Sequence, residues 1–204
     1  MISDHRPDTL TPILKEIKAF EESLPQLLEL ARARDPRIGI LIRQALREVH
    51  HYHCPLGFRV DQAWVFVIAE KLQSPNKTMA SWMLQQSARK KWQKLLEPAI
   101  AKAQGAASFT WLQQLGRAPQ CAEKMTLQIV RLVASTREFI KDDDNLAFSR
   151  KQSTDAMKHL RLVKDDRREW LDALPIYQDV TPNGRALTVF ILWPVDAGFL
   201  ADPR

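Results

Sequence analysis

The stretch QAWVFVIAE, residues 62–70, is where the texture of this chain changes and where its fold class is decided. β-branched and aromatic residues crowd together there, and the polar segment QSPNKT at 73–78 closes the run, which is the content of a strand. Upstream the pattern is helical. Thr11 and Pro12 form a helix start, after which Ile13, Ile17, Phe20 and Leu24 recur at helical spacing until Pro25 interrupts them. Asp35 and Pro36 repeat the device ahead of a second stripe, Ile38, Leu41, Ile42, Ala45, Leu46 and Val49. CPLG at 54–57 breaks that stripe, so residues 1–57 are expected to be an N-terminal helical extension and residues 58–204 a unit of different build.

Downstream, helices and strands mix. A helix is expected from about Met79 to Ile100, bearing Arg89, Lys90, Lys91 and Lys94, with Pro98 kinking or ending it. In KMTLQIVRLV, residues 124–133, Met125, Leu127, Ile129, Arg131 and Val133 alternate with Thr126, Gln128, Val130 and Leu132, as on a strand. An acidic run, a helix over roughly 146–160 and the loop VKDDRREW at 163–170 follow. LPIYQDV and ALTVFILW then read as two strands, and the Asn-Gly of TPNGR at 181–185 predicts that they pair as a hairpin. The expectation is an α+β fold, a small mixed β-sheet packed by helices and preceded by the helical extension.

Composition narrows the function classes. A chain of 204 residues, 45% hydrophobic and 26% charged, is long enough to bury a substantial core and is neither disordered nor fibrous in character. Thirty Lys and Arg against 24 Asp and Glu leave a net charge of +6, which suits a polyanionic partner. Cys54 and Cys121 have no CxxC spacing, and the N-terminus lacks a secretory layout, so a reducing cytoplasm is expected. The longest apolar runs are too short to span a bilayer, so no membrane segment is expected.

Two stretches are rich in ligand-type residues. HHYHC at 50–54 offers zinc donors, but adjacent residues point in different directions and no second His/Cys pair completes a tetrahedral set. It reads as a helix end. KDDDNL at 141–146 gathers three aspartates in a basic protein. An EF-hand fails here, because counting from Asp142 the fifth and sixth positions are Leu146 and Ala147. In extended backbone Asp142 and Asp144 face one way and share a cation, leaving Asp143 aside; alternatively Asp144 or Asn145 caps the following helix. A second acidic pair, Asp165 and Asp166, lies beyond a helix on which Lys151 and Asp155 are four residues apart. Carboxylates hold Mg²⁺, the metal polarises a phosphate and activates water, and an ammonium group stabilises developing charge, which together suit phosphodiester hydrolysis.

In this order the features resemble the RusA-type Holliday junction resolvases, common in phages. That family has a strand followed by a Pro- and Asn-containing turn, matched by LQSPNK at 72–77. Its D-x-D-N-L motif is matched by Asp142, Asp144, Asn145 and Leu146, its Lys and Asp-Ala four apart by Lys151, Asp155 and Ala156, and its Asp-Asp pair by Asp165 and Asp166. The match covers roughly residues 60–195. Lys151 lies seven residues beyond Asp144, a longer gap than in the founding member, and the helical extension has no counterpart in the minimal domain.

The resemblance implies that Asp142, Asp144 and Asp166 bind Mg²⁺, for which Mn²⁺ can substitute, with Asp165 supporting and Lys151 at the scissile phosphate. It implies a branched DNA substrate such as a four-way junction, DNA contacts at Asn76 and Lys77, and a homodimer with two active sites. It also implies the cytoplasm of a bacterial or phage-infected cell. Apart from any family, Arg89, Lys90, Lys91 and Lys94 make either a DNA-backbone face or a solvated charged face, and Trp82 and Trp92 on that helix are expected in the core. A non-catalytic DNA-binding or assembly protein retaining the same fold is the rival reading.

Overall fold

The structure is a computed structural model that describes residues 10–46, 54–60, 62–74, 81–181 and 184–195. In chain order its elements are α1 (Leu10–Arg32), α2 (Arg37–Ala45), β1 (Leu56–Val60), β2 (Ala63–Ile68), α3 (Trp82–Ala103), α4 (Phe109–Gln114), β3 (Met125–Val133), α5 (Asp143–Ser149), α6 (Lys151–His159), β4 (Leu171–Ala173), β5 (Tyr177–Val180) and β6 (Leu187–Pro194). The fold is α+β, with a mixed sheet packed by helices, as expected.

The sheet runs β1-β2-β6-β3-β4, and β5 joins the same edge of β3 as β4. β1, β2, β6 and β3 are successively antiparallel, whereas β4 and β5 lie parallel to β3. Residues of β2, β3 and β6 are buried on both faces, which is why these strands read as nearly unbroken apolar runs.

Each face of the sheet has its own helical layer. Phe20, Leu24 and Leu27 of α1 and Ile38 and Ile42 of α2 share a core with Val65, Val67, Val130, Val189 and Ile191. On the other face, Trp92, Leu96 and Ile100 of α3 and Met157 of α6 pack on Phe66, Leu127, Ile129 and Phe190. Trp92 meets Phe190 edge to face, with ring centroids 5.5 Å apart. At about 1.5–3 kcal/mol per large apolar side chain, these two layers dominate the stability of the fold.

Four expectations are corrected. β5 and β6 do not form a hairpin, because both pair with β3 on its opposite sides, and beyond β5 the Thr181 N–H donates to the Val133 carbonyl at the end of β3 at 2.9 Å. β6 is buried at every position and needs an interior place, whereas β5 is only half-buried and suits an edge. Pro25 interrupts nothing: it lies inside α1 on the exposed side, while Leu24, Leu27 and Leu28 stay buried. Pro98 does not end α3: it faces outward within the helix, with Ala99, Ile100 and Ala101 buried beyond it. The lost hydrogen bond and ring clash cost about 3 kcal/mol each, which the continuing apolar stripes offset. The helix expected over 146–160 is two helices, α5 and α6, meeting at Arg150.

Two strands escaped sequence reading, the three-residue β4 and β1. β1 spans residues 56–60, so the expected division at 57 and 58 falls within it, and it pairs with β2 from Leu56↔Val67 to Val60↔Ala63. Gly57 makes that packing feasible, since a Cβ there would lie 1.7 Å from the Ala99 carbonyl oxygen of α3. No helix among the described residues is long and apolar enough to cross a membrane.

Candidate functional site

The acidic run is not extended. Asp142 alone has strand-like angles, φ −91° and ψ 122°, and its Oδ1 accepts the Asn145 N–H at 2.8 Å as the N-cap of α5. Asp143 and Asp144 already belong to the first helical turn, so the alternation that would have set Asp143 apart does not exist. All three are exposed. Charge gathers here because the free N–H groups and dipole of a helix start favour carboxylates.

Behind the run lies a residue that sequence reading passed over. Arg131, on β3 and only 3% exposed, donates Nε–H to the Leu72 carbonyl at 3.0 Å, and Nη1–H to the Glu138 carbonyl at 3.1 Å and to Gln178 Oε1 at 2.8 Å. Gln178 in turn accepts the Ile140 N–H at 3.0 Å and donates to the Ile140 carbonyl at 2.9 Å. One guanidinium thus ties the loop after β2, the edge strand β5 and the segment that delivers Asp142. Burial pulls its pKa down, and Glu138 nearby opposes that. The available signal was a lone arginine in an otherwise uncharged strand.

The second acidic pair is held by cations. Lys151 pairs with Asp166 and, at 3.2 Å, with Asp155, as their spacing predicts. Lys158 pairs with Asp165 at 2.8 Å and Asp166 at 3.5 Å, and Arg167 reaches Asp165 at 3.3 Å. Lys158 above all, then the hydrogen bond from Asp166, holds the Asp165 carboxyl well below the usual carboxylate range. Burial works against the charge of Lys151, but its bonds to Asp166 and Asp155 outweigh it and raise its pKa. Lys158 is raised too, chiefly by Asp165.

Asp142 caps one end of α5, a seven-residue helix about 10 Å long, and Lys151, which pairs with Asp166, follows its other end. The cavity beside Asp142 and Asn145, about 430 Å³, shares no lining residue with that beside Lys151 and Asp166, about 550 Å³. Among the described residues no three His, Cys, Asp or Glu side chains are gathered as a metal centre. By donor type the aspartates fit Mg²⁺ or Mn²⁺, which take hard oxygen ligands, and Asp142 and Asp144 stand open to solvent.

No protein-family model matches the chain, and no curated protein matches it significantly. The resemblance to RusA-type resolvases therefore rests on the residues themselves. Asn76, Lys77 and three of the residues in HHYHC that could bind zinc, His50, His51 and His53, lie outside the described residues. Cys54 is described, and burial pushes its thiol up to about 11, the opposite of what a zinc thiolate requires.

The basic helix α3 divides. Arg89 turns partly inward, its Nε buried without a hydrogen-bond partner, and Lys91 pairs with Glu70. Lys90 and Lys94 face solvent. Trp92 is buried as expected, but Trp82 is 68% exposed and flanks the two lysines, so its expected place in the core is corrected. It sits in the first turn of α3, whose buried positions begin only at Trp92.

Proposed function

We propose that this chain is a Mg²⁺-dependent, structure-selective endodeoxyribonuclease that resolves four-way junctions and other branched DNA by phosphodiester hydrolysis. It acts as a homodimer, in the cytoplasm of a bacterial or phage-infected cell. The observation that carries the reading is Lys151, an ammonium group set between Asp155 and Asp166 at a cavity mouth, with the acidic run at the far end of the adjoining helix. Mg²⁺, when bound, supplies positive charge to a phosphate oxygen and acidifies a water. Asp142 and Asp144 offer it oxygens, Asp142 through the Oδ2 that its cap leaves over. Lys151 meets the negative charge that develops on the phosphate. Arg131 keeps the acidic run in position.

The test is cleavage of a synthetic four-way junction, a flap and a linear duplex in Mg²⁺, in Mn²⁺ and in EDTA. The junction should be cut with either metal and not in EDTA, and the linear duplex should survive. EDTA-resistant cutting, or equal cutting of the linear duplex, contradicts the proposal. One observation favours the rival, a non-catalytic DNA-binding or assembly protein: three cations, Lys151, Lys158 and Arg167, already occupy Asp165 and Asp166. Tight junction binding with no cleavage under either metal supports that reading.

A further inference from the structure

The cavity between the α5–α6 break and β4 has more positive charge than its acids can match. Lys124, Arg150, Lys151 and Arg168 line it, against Asp166 and Asp172. Both carboxylates are engaged, Asp166 by Lys151 and Lys158, Asp172 by Arg34 at 3.3 Å. Arg150, Arg168 and Lys124 form no ion pair among the described residues. Several cations elsewhere find acids, Arg37 with Asp35, Arg43 with Asp179 and Lys71 with Glu138, whereas the exposed Lys90 and Lys94 are solvated without one among the described residues.

Arg150 is the least expected of the three, because it is half-buried. Its backbone is pinned, the carbonyl accepting the Thr154 N–H at 2.9 Å, Thr154 Oγ1 at 3.0 Å and Ser153 Oγ at 2.8 Å, so its side chain leaves the helix break from a fixed origin. A desolvated guanidinium without an acid is costly unless a ligand completes it, and its planar fork matches two phosphate oxygens. Phe148, also lining the cavity, is 62% exposed. An uncovered aromatic ring beside unpaired cations is the combination that holds an unstacked nucleotide, the ring under the base and the cations on the backbone.

We propose that this cavity binds the phosphate backbone of a nucleic-acid strand through Arg150, Lys124 and Arg168, with Phe148 stacking on an unpaired base. This rests on the reading of the chain as acting on DNA, and it names residues outside both acidic clusters.

The test uses the full chain and a fluorescein-labelled four-way junction, followed by anisotropy in EDTA so that binding is seen without cleavage, over a salt series. The exposed double variant Lys124→Gln/Arg168→Gln should bind about tenfold more weakly and flatten the plot of log K against log salt by about 0.9 for each phosphate that is no longer neutralised. Arg150→Gln should do likewise while Arg150→Lys keeps the slope, which separates lost charge from disturbed folding. Phe148→Ala should weaken binding about tenfold with an unchanged slope. Wild-type affinity and slope in both the double variant and Arg150→Gln overturn the proposal. Inorganic phosphate, added at matched ionic strength in a thermal melt, separates the two sources of the anion. A Tm rise that the variants abolish, with their junction binding intact, marks a small-anion site and also overturns it. Failure of the nuclease reading shows separately, as a junction bound through these residues but uncut in Mg²⁺; a protein that binds no junction sinks both.

Discussion

Asp142, Asp143 and Asp144 stand exposed at the start of α5, whereas Asp165 and Asp166 are half-buried and gripped by Lys151, Lys158 and Arg167. Both clusters are short aspartate runs in a basic chain, yet their charge is stabilised by different means. At the first the stabilising groups are peptide N–H donors and the helix dipole, which leave carboxylate oxygens open to a cation. At the second a cation is already present, and a metal must displace an ammonium. Half-exposed ion pairs of this kind are worth only about 0–1 kcal/mol, so displacement is cheap. On the proposed reading the open cluster is therefore the place for Mg²⁺, and the second cluster would take a metal only by losing the Lys151 ammonium.

Asp144 is where this contrast has most to lose. Asp144→Asn removes a carboxylate charge without touching the cap, so junction cleavage should fall by about 100-fold or more while the urea midpoint stays put. Full activity in that variant would show that the open cluster is not a metal site. Lys151→Ala comes next: cleavage should fall roughly 10- to 100-fold, with a stability change within about 1 kcal/mol, measured on the same preparation. A large loss of stability instead would make Lys151 a structural clamp.

Smaller effects separate capping from chemistry. Asp142→Ala should cost about 1 kcal/mol in urea unfolding because the Asn145 N–H loses its acceptor, and Asp142→Asn should restore most of that, since asparagine also caps. Cleavage should fall in both. The smallest effect is a pH dependence. Because the folded-state pKa of Asp165 is depressed, its ion pairs with Lys158 and Arg167 stabilise the fold above the ordinary carboxyl pKa near 4, and that contribution fades as pH falls below it. Thermal melts of wild type and Asp165→Asn should therefore differ at pH 6 and converge in acid; a gap that widens in acid would contradict the sign.

Much of the fold was legible in the residues. The strands β2, β3 and β6 announce themselves as apolar runs, and Ile38, Ile42 and Leu46 as a stripe, because each buries what its period exposes. The partner of a strand was not legible: Asn-Gly marks a reversal, but it does not say that β3 lies between the strands it joins. β1 was hidden because Gly57, a poor strand former taken alone, is required by the approach of α3, and Pro25 and Pro98 misled because burial on the far side of each helix outweighs their local cost. In the site, the Lys151–Asp155 pair follows from spacing alone. What Arg131 and Arg150 meet depends on what lies across the sheet and across the helix break, which the lone arginine of β3 flags but does not specify.

The proposed metal position can be read from the anomalous density of Mn²⁺ in crystals of the protein. A peak is expected at the open cluster, with oxygens of Asp142 and Asp144 in its coordination shell and Lys151 still paired to Asp166. No peak there, or a peak only at Asp165 and Asp166 with Lys151 displaced, would contradict that placement.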